Sequence, residues 1–317
     1  MTQDSTTLAF VFPGQGSQSV GMLADLAAAH PEVRTTFAEA SQGAGLDLWA
    51  ISQHGPEDQL NRTENTQPAL LAASVAVWRV WQKLGGTQPA QLSGHSLGEY
   101  SALVCAGALS LHDAASLVAA RGRLMQAAVP PGVGAMAAIL GGDDTQIANV
   151  CEQMAQGQVV APANFNSPGQ LVIAGNIEAV DRVLAKLAEL GVRKAIKLAV
   201  SVPSHCALMR GAADQLGERM AAIDWHSPSI PVIQNAEARS YASVDEIRGA
   251  LQQQLYLPVR WTECVHALAA GGTVRIAECG PGKVLSGLIK RIDKSIEARA
   301  LGTPVEFDAA LTAWASA

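Results

Sequence analysis

The sequence has no C-x-x-C spacing, no long unbroken apolar run and no excess of basic residues. Each absence excludes a class of protein. Cys105, Cys151, Cys206, Cys264 and Cys279 form an odd set, which argues against a disulfide framework and against a zinc site, and fits a reducing cytosol. A formal net charge of −6 disfavours broad binding of nucleic acid, which depends on neutralising phosphates with Lys and Arg. Met1 to Phe12 carries an acid at Asp4 and lacks the basic start and apolar stretch of an export signal. The most apolar segment, Leu70 to Trp81, is interrupted by Arg79 and is too short for a membrane span. The expectation is a cytoplasmic protein with neither membrane nor nucleic acid as partner. Internal repeats and low-complexity tracts are also missing.

What remains is a chain of 317 residues, 49% hydrophobic and 16% charged, with 29 glycines. That composition describes a well-buried α/β enzyme, and the length favours one large domain carrying an inserted smaller unit. Leu8 to Phe12 reads as a buried strand ending at Pro13-Gly14, Thr66 to Leu84 as a buried helix, and Ala90 to Ser93 as a strand followed by a helix over Glu99 to Ala106. Between Gly132 and Val200 the order becomes β-α-β-β-α-β, with strands at Ala135 to Leu140, Val159 to Phe165, Gln170 to Ala174 and Lys194 to Val200. The predicted class is therefore α/β: an α/β-hydrolase-like domain over residues 1–131 and 201–317 with a mainly parallel sheet, and a ferredoxin-like subdomain over 132–200. After the insertion, Cys206 to Ile223 reads as a helix, Pro231 to Gln234 as a strand, and Pro281 as the first residue of a helix running to Ile292.

Gly94-His95-Ser96-Leu97-Gly98 matches G-x-S-x-G, the pattern of a nucleophilic serine on a sharp strand-to-helix turn, with the following helix N-terminus aimed at the developing oxyanion. The same pattern also occurs by chance in loops, and the strand before it and helix after it are what raise its weight. A serine hydroxyl needs a base, usually histidine. His95 should point away across the turn, and His30, His54, His112, His226 and His266 lie in polar loops or ordinary helical patterns. His205, in Val202-Pro203-Ser204-His205, stands where the chain returns from the insertion, although a lone histidine there is otherwise a cap or surface residue. No acid sits at an obvious strand end between Ser96 and His205, which favours a dyad over a triad.

Phe12-Pro13-Gly14-Gln15-Gly16-Ser17-Gln18, Gly94-His95-Ser96-Leu97-Gly98-Glu99-Tyr100, Val202-Pro203-Ser204-His205-Cys206-Ala207 and Gly280-Pro281-Gly282-Lys283 together resemble the bacterial malonyl-CoA:acyl carrier protein transacylases. Gln67-Pro68-Ala69 and Asn164 to Gln170 extend the likeness, in unbroken order, from Ala9 to Ile292. The resemblance implies Ser96 as nucleophile, His205 as general base and the backbone N–H groups of Gln15 and Leu97 as oxyanion hole. It implies that Arg121 pairs with the free carboxylate of malonate and that the backbone carbonyl of Gln254 orients the base, which leaves the Gln254 side chain replaceable. It further implies a ping-pong transfer from malonyl-CoA to the phosphopantetheine thiol of acyl carrier protein, for fatty acid synthesis, with no cofactor and no metal. Carrier proteins are acidic, so a local basic cluster is needed, and Arg193, Lys194, Lys290 and Arg291 are candidates, though such charges are also ordinary on a surface. A thioesterase or esterase using the same acyl-serine, and a non-catalytic carrier-docking module, are the competing readings.

Overall fold

The computed structural model describes residues 7–192, 194–199 and 202–314. Nine strands occur in them: β1 (Thr7–Phe12), β2 (Gln91–Gly94), β3 (Gly134–Leu140), β4 (Val160–Ser167), β5 (Gln170–Asn176), β6 (Lys194–Lys197), β7 (Val232–Ile233), β8 (Thr273–Glu278) and β9 (Glu297–Ala300). They form two sheets, one of order β7-β2-β1-β8-β9 and one of order β4-β5-β3-β6. Every pairing in the first is parallel and every pairing in the second antiparallel. The chain is thus an α/β protein with a parallel sheet and a separate antiparallel one.

β1 lies at the centre of the parallel sheet because its unbroken apolar run can be buried on both faces. Leu8, Phe10 and Phe12 enter one core cluster while Ala9 and Val11 enter the other. On the first side Trp78 and Trp81, from the buried Thr63–Lys83 helix, meet the Phe10 ring edge-on at 5.4 and 5.3 Å. The strand order reverses between β1 and β8, so the loops after β1, β2, β7 and β8 gather at one carboxyl edge, where open α/β sheets leave a crevice.

In the second sheet, alternation sends Ala135, Ala137, Ile139, Leu171 and Ile173 toward the Asp144–Ala155 and Ile177–Glu189 helices. Met136 and Val172, on the opposite face, look into a cavity shared with the parallel sheet. Backbone bonds fasten this unit to the rest: Phe165 N–H donates to the Val259 carbonyl at 2.9 Å, and Val259 N–H donates to Ala163 at 2.8 Å. Among the described residues no helix is long and apolar enough to cross a membrane.

Several boundaries depart from expectation. The last helix of the crevice begins at Val284, not at Pro281, because Gly282 at φ 79° holds the intervening turn in the left-handed region. Its N-terminal amides are satisfied by Glu278, whose carboxylate accepts from Leu285 at 3.0 Å and Ser286 at 2.7 Å. β7 shrinks to Val232–Ile233, as Gln234 turns away to bridge Arg239. The segment after His205 is a 3-10 turn, Ala207–Met209, before the Arg210–Ala221 helix. Within residues 20–60, four helices were not anticipated, although Val33, Thr36, Phe37 and Ala40 bury one face of Glu32–Ala44 at helical spacing.

Candidate active site

β2 ends at Gly94, and two residues later Ser96 takes φ 50°, an uncommon conformation for a side chain and one that lifts its hydroxyl out of the turn. Both motif glycines are demanded by close approach. A Cβ at Gly94 would sit 1.9 Å from the carbonyl carbon of Gly98, and one at Gly98 would sit 1.9 Å from the Phe12 oxygen. Gly14, in the loop after β1, is held likewise, with the His95 oxygen 2.5 Å from where its Cβ would be. The loops after β1 and β2 can therefore converge only because these positions carry no side chain.

Ser96 Oγ lies 2.8 Å from His205 Nε2, and His205 Nδ1 lies 2.7 Å from the main-chain oxygen of Gln254. A carbonyl can only accept, so Nδ1 carries the proton and Nε2 is left to accept from the serine hydroxyl. His205 is 4% exposed, and burial, together with the Arg121 charge, pushes its pKa down to about 3. The imidazole is neutral across the physiological range. Acyl transfer is therefore expected to show no loss from imidazole protonation, with its ordinary midpoint of 6.5, when kcat/KM is followed from pH 8 to 5; a limb there that persists in Glu99→Gln, where the neighbouring carboxyl is gone, would contradict the dry setting.

Arg121 sits on the Leu111–Ala127 helix and is 1% exposed. It donates from Nη1 to Gln67 Oε1 at 2.7 Å, and from Nη2 to Gln254 Oε1 at 3.0 Å and to Ser96 Oγ at 3.2 Å. Among the described residues no carboxylate is within salt-bridge distance of it, and its Nε has no hydrogen-bond partner. A buried guanidinium without an ion-pair partner is costly, and an incoming anion would relieve that cost.

The Gln254 side chain is not replaceable filler. Besides holding Arg121, it donates from Nε2 to the Ser96 carbonyl at 2.9 Å and to Glu99 Oε2 at 3.0 Å. His95 turns its Nε2 to Asn166 Oδ1, at 2.8 Å, on the antiparallel unit. Asn235, which sequence reasoning missed, accepts from Ser96 N–H at 2.8 Å. Glu99 closes the elbow motif one residue beyond Gly98. It is wholly buried, and that burial pushes its pKa up to about 7 against the hydrogen bonds it accepts. In folding, the two shifts oppose each other. His205 binds a proton when unfolded that it loses when folded, so between pH 6.5 and 3 it lowers stability on acidification; Glu99 is more protonated when folded, so it lowers stability as pH rises from 4.5 toward 7.

Gln15 and Leu97 line the same cavity, of about 230 Å³, together with Ser96, His205 and Arg121. Among the described residues neither backbone N–H of this pair donates within the chain, whereas Ser96 N–H is already used. The basic residues considered for docking lie elsewhere. Lys194, Lys290 and Arg291 are exposed; Arg291 donates to Gln170 at 2.9 Å, and Gln170 and Lys194 flank Leu140 in the antiparallel sheet. Arg193 lies outside the described residues.

A serine hydroxyl hydrogen-bonded to a neutral imidazole has the means to accept and pass on acyl groups, and a buried guanidinium beside it the means to tell an acyl chain that ends in an anion from one that does not; fold and site together are those of an acyltransferase. Comparison with known proteins agrees. Residues 9–313 match the acyl transferase domain family, and the chain belongs to that family. It is 57% identical over 306 residues, 96% of this chain and 99% of the relative, to the malonyl CoA-acyl carrier protein transacylase of Escherichia coli K12. It is 42% identical over 305 residues to that of Bacillus subtilis, covering 96% of both chains. Among solved structures, a malonyl-CoA:acyl carrier protein transacylase from Xanthomonas oryzae superposes with a TM-score of 0.97 at 68% identity, covering 98% of this chain and 99% of its own. A malonyl-transacylase in complex with its type II PKS acyl-carrier protein gives 0.95 at 54% identity, over 97% and 99%.

Proposed function

We propose that this chain is an acyl-carrier-protein S-malonyltransferase that works by a ping-pong cycle through a malonyl ester on Ser96. The observation that carries the reading is the unpaired Arg121 guanidinium in the same cavity as the Ser96–His205 pair. Ser96 Oγ attacks the thioester carbon of malonyl-CoA while His205 Nε2 takes the hydroxyl proton. The tetrahedral oxyanion is received by the amides of Gln15 and Leu97, the C–S bond breaks, and the sulfur leaves with the proton from His205. The phosphopantetheine thiol of the carrier then repeats the steps in reverse order, releasing Ser96. Arg121 pairs with the distal carboxylate as a planar fork, and the Gln254 carbonyl fixes the base without adding a second anion. Coenzyme A thioester and carrier are substrates, and no cofactor takes part.

Supplying malonyl groups to a carrier is the entry to fatty acid synthesis, and the five free cysteines fit a cytoplasmic setting. The strand order β4-β5-β3-β6 supports a ferredoxin-like subdomain over 132–200, inserted in an α/β-hydrolase-like catalytic domain formed by 1–131 and 201–317.

The test is to mix excess protein with malonyl-CoA without a carrier. One equivalent of coenzyme A should be released in a burst and the label retained on Ser96, then discharged by holo-carrier. Steady release of free malonate instead would make the protein a thioesterase, and an unreactive serine in a folded, carrier-binding chain would make it a docking module. For the carrier, the exposed Lys194, Lys290 and Arg291, with Arg193, offer the positive charge an acidic partner needs. Reversing Lys290 and Arg291 together to glutamate should raise the apparent KM for carrier about tenfold, the reach of a few rim charges, and leave that for malonyl-CoA unchanged. Equal effects on both substrates would remove these residues from docking.

A further inference from the structure

The acyl-transfer steps use no part of Glu99, yet this carboxylate lies directly behind the elbow, on the first turn of the Gly98–Cys105 helix, with no exposure at all. It accepts hydrogen bonds from two distant segments. Gln234 Nε2 donates to Oε1 at 2.8 Å; Asn235 N–H and Gln254 Nε2 donate to Oε2 at 2.8 and 3.0 Å. Both segments then turn toward the reacting atoms. Asn235 takes Ser96 N–H on Oδ1 and gives its own Nδ2–H to the Gly94 carbonyl at 2.7 Å, gripping the elbow from either side of His95. Gln254 gives its main-chain oxygen to His205 and its side-chain oxygen to Arg121.

The orientation of the Gln254 amide is the sensitive point. Its nitrogen meets acceptors, the Ser96 carbonyl, the Glu99 Oε2 that also takes Asn235 N–H, and Asn235 Oδ1 at 3.4 Å, and its oxygen meets a guanidinium that only donates. Reversed, it would set NH₂ against the arginine and oxygen against a carbonyl and a carboxylate. If space-filling were the only requirement, an apolar residue would serve better than an ionisable one that must be desolvated.

We propose that Glu99 is a positioning residue for acyl selection: by fixing the Gln254 amide it aims the Arg121 fork at the far end of the acyl group. The acid missing from the Ser–His pair is thus present one layer deeper, acting through an amide. This inference rests on the malonyl-transfer reading.

Three variants of the full chain test it: Glu99→Ala, which leaves room for water; Glu99→Met, which fills the volume without an acceptor; and Glu99→Gln. The glutamine oxygen can keep Asn235 and Gln254, while its NH₂ meets Gln234, whose Oε1 has no partner among the described residues and can be turned to accept, at the loss only of the long 3.3 Å bond from Gln234 Nε2 to the Ile247 carbonyl. Active sites are counted by the burst of coenzyme A, and loading by malonyl-CoA and acetyl-CoA is compared per site, so that unfolded molecules do not enter. In the alanine and methionine variants KM for malonyl-CoA should rise and the malonyl-over-acetyl preference fall, each about tenfold, as for residues coupled in one network. The glutamine variant should stay within about threefold of wild type on both, a change of under 1 kcal/mol. An unchanged preference in the first two overturns the proposal. So does a glutamine variant that shifts as far as they do, or that prefers malonyl more strongly, since charge and not aim would then be the cause. Failure of both non-accepting variants to form active sites also overturns it, because the carboxylate would then serve folding. A wild type that loads no malonyl is a different result, and ends the malonyl-transfer reading itself.

Discussion

Replacing Ser96 with alanine is expected to lower malonyl transfer by at least about 10⁴-fold and to abolish the coenzyme A burst, with His205→Ala falling almost as far. The two losses should not add. In the proposed cycle nucleophile and base act as a unit across a single 2.8 Å hydrogen bond, and removing either would leave only binding and the oxyanion amides. Steady-state transfer to holo-carrier by both single variants and the double variant measures this. A double variant much worse than either single would mean that His205 acts on something other than the serine proton. Ser96 also holds φ 50° against steric preference, so the alanine variant should fold as the wild type does, and its inactivity cannot be ascribed to collapse of the elbow.

The second large effect concerns which acyl group is accepted. Arg121→Ala should cut kcat/KM for malonyl-CoA by about two orders of magnitude or more, the cost of leaving a desolvated carboxylate without its partner, while acetyl-CoA is used as well as before or better. Arg121→Lys should rescue only part of this, because an ammonium keeps the charge but cannot hold Gln67, Gln254 and a carboxylate together in one plane. Competition between the two thioesters in one reaction reads the ratio directly. Parallel losses on both substrates would sink the assignment, since the arginine would then serve the serine and not the acyl end.

Features governed by local rules could be read from the sequence. Leu8 to Phe12 announces a doubly buried strand, and Gly94 to Gly98 announces the elbow, because the close contact that forbids a Cβ at Gly94 acts within one turn of chain. His205 was legible from its place after the insertion and from the family resemblance, while its contact with Ser96, spanning 109 residues, leaves no local pattern. Arg121 illustrates the opposite case: a charged residue within a helix reads as solvent-facing, yet Val118, Ala119, Ala120, Gly122 and Met125 around it are buried too. Glu99 is hidden for the same reason. An acid on a first helical turn is explained by the dipole alone, and nothing nearby in sequence reveals that Gln234, Asn235 and Gln254 converge on it. Pro281 misled because a proline following glycine marks a helix start only if the next residue does not need the left-handed region, and Gly282 does.

The backbone ties at Ala163, Phe165 and Val259 bear on how such a protein can be altered. About a third of the cavity wall, Met136, Asn164, Asn166, Val172 and Leu198, comes from the antiparallel sheet and the segment that leaves it, all within seventy residues of chain, which invites transplanting that module to change what is carried. Yet its outermost strand is stitched to the host by main-chain bonds, and those tolerate no slippage: a graft shifted by one residue would turn Met136 and Val172 away from the chamber wall. Inheritance of the module is therefore inheritance of its alignment, and variety in acyl preference is more accessible by exchanging single side chains on the wall than by exchanging the wall.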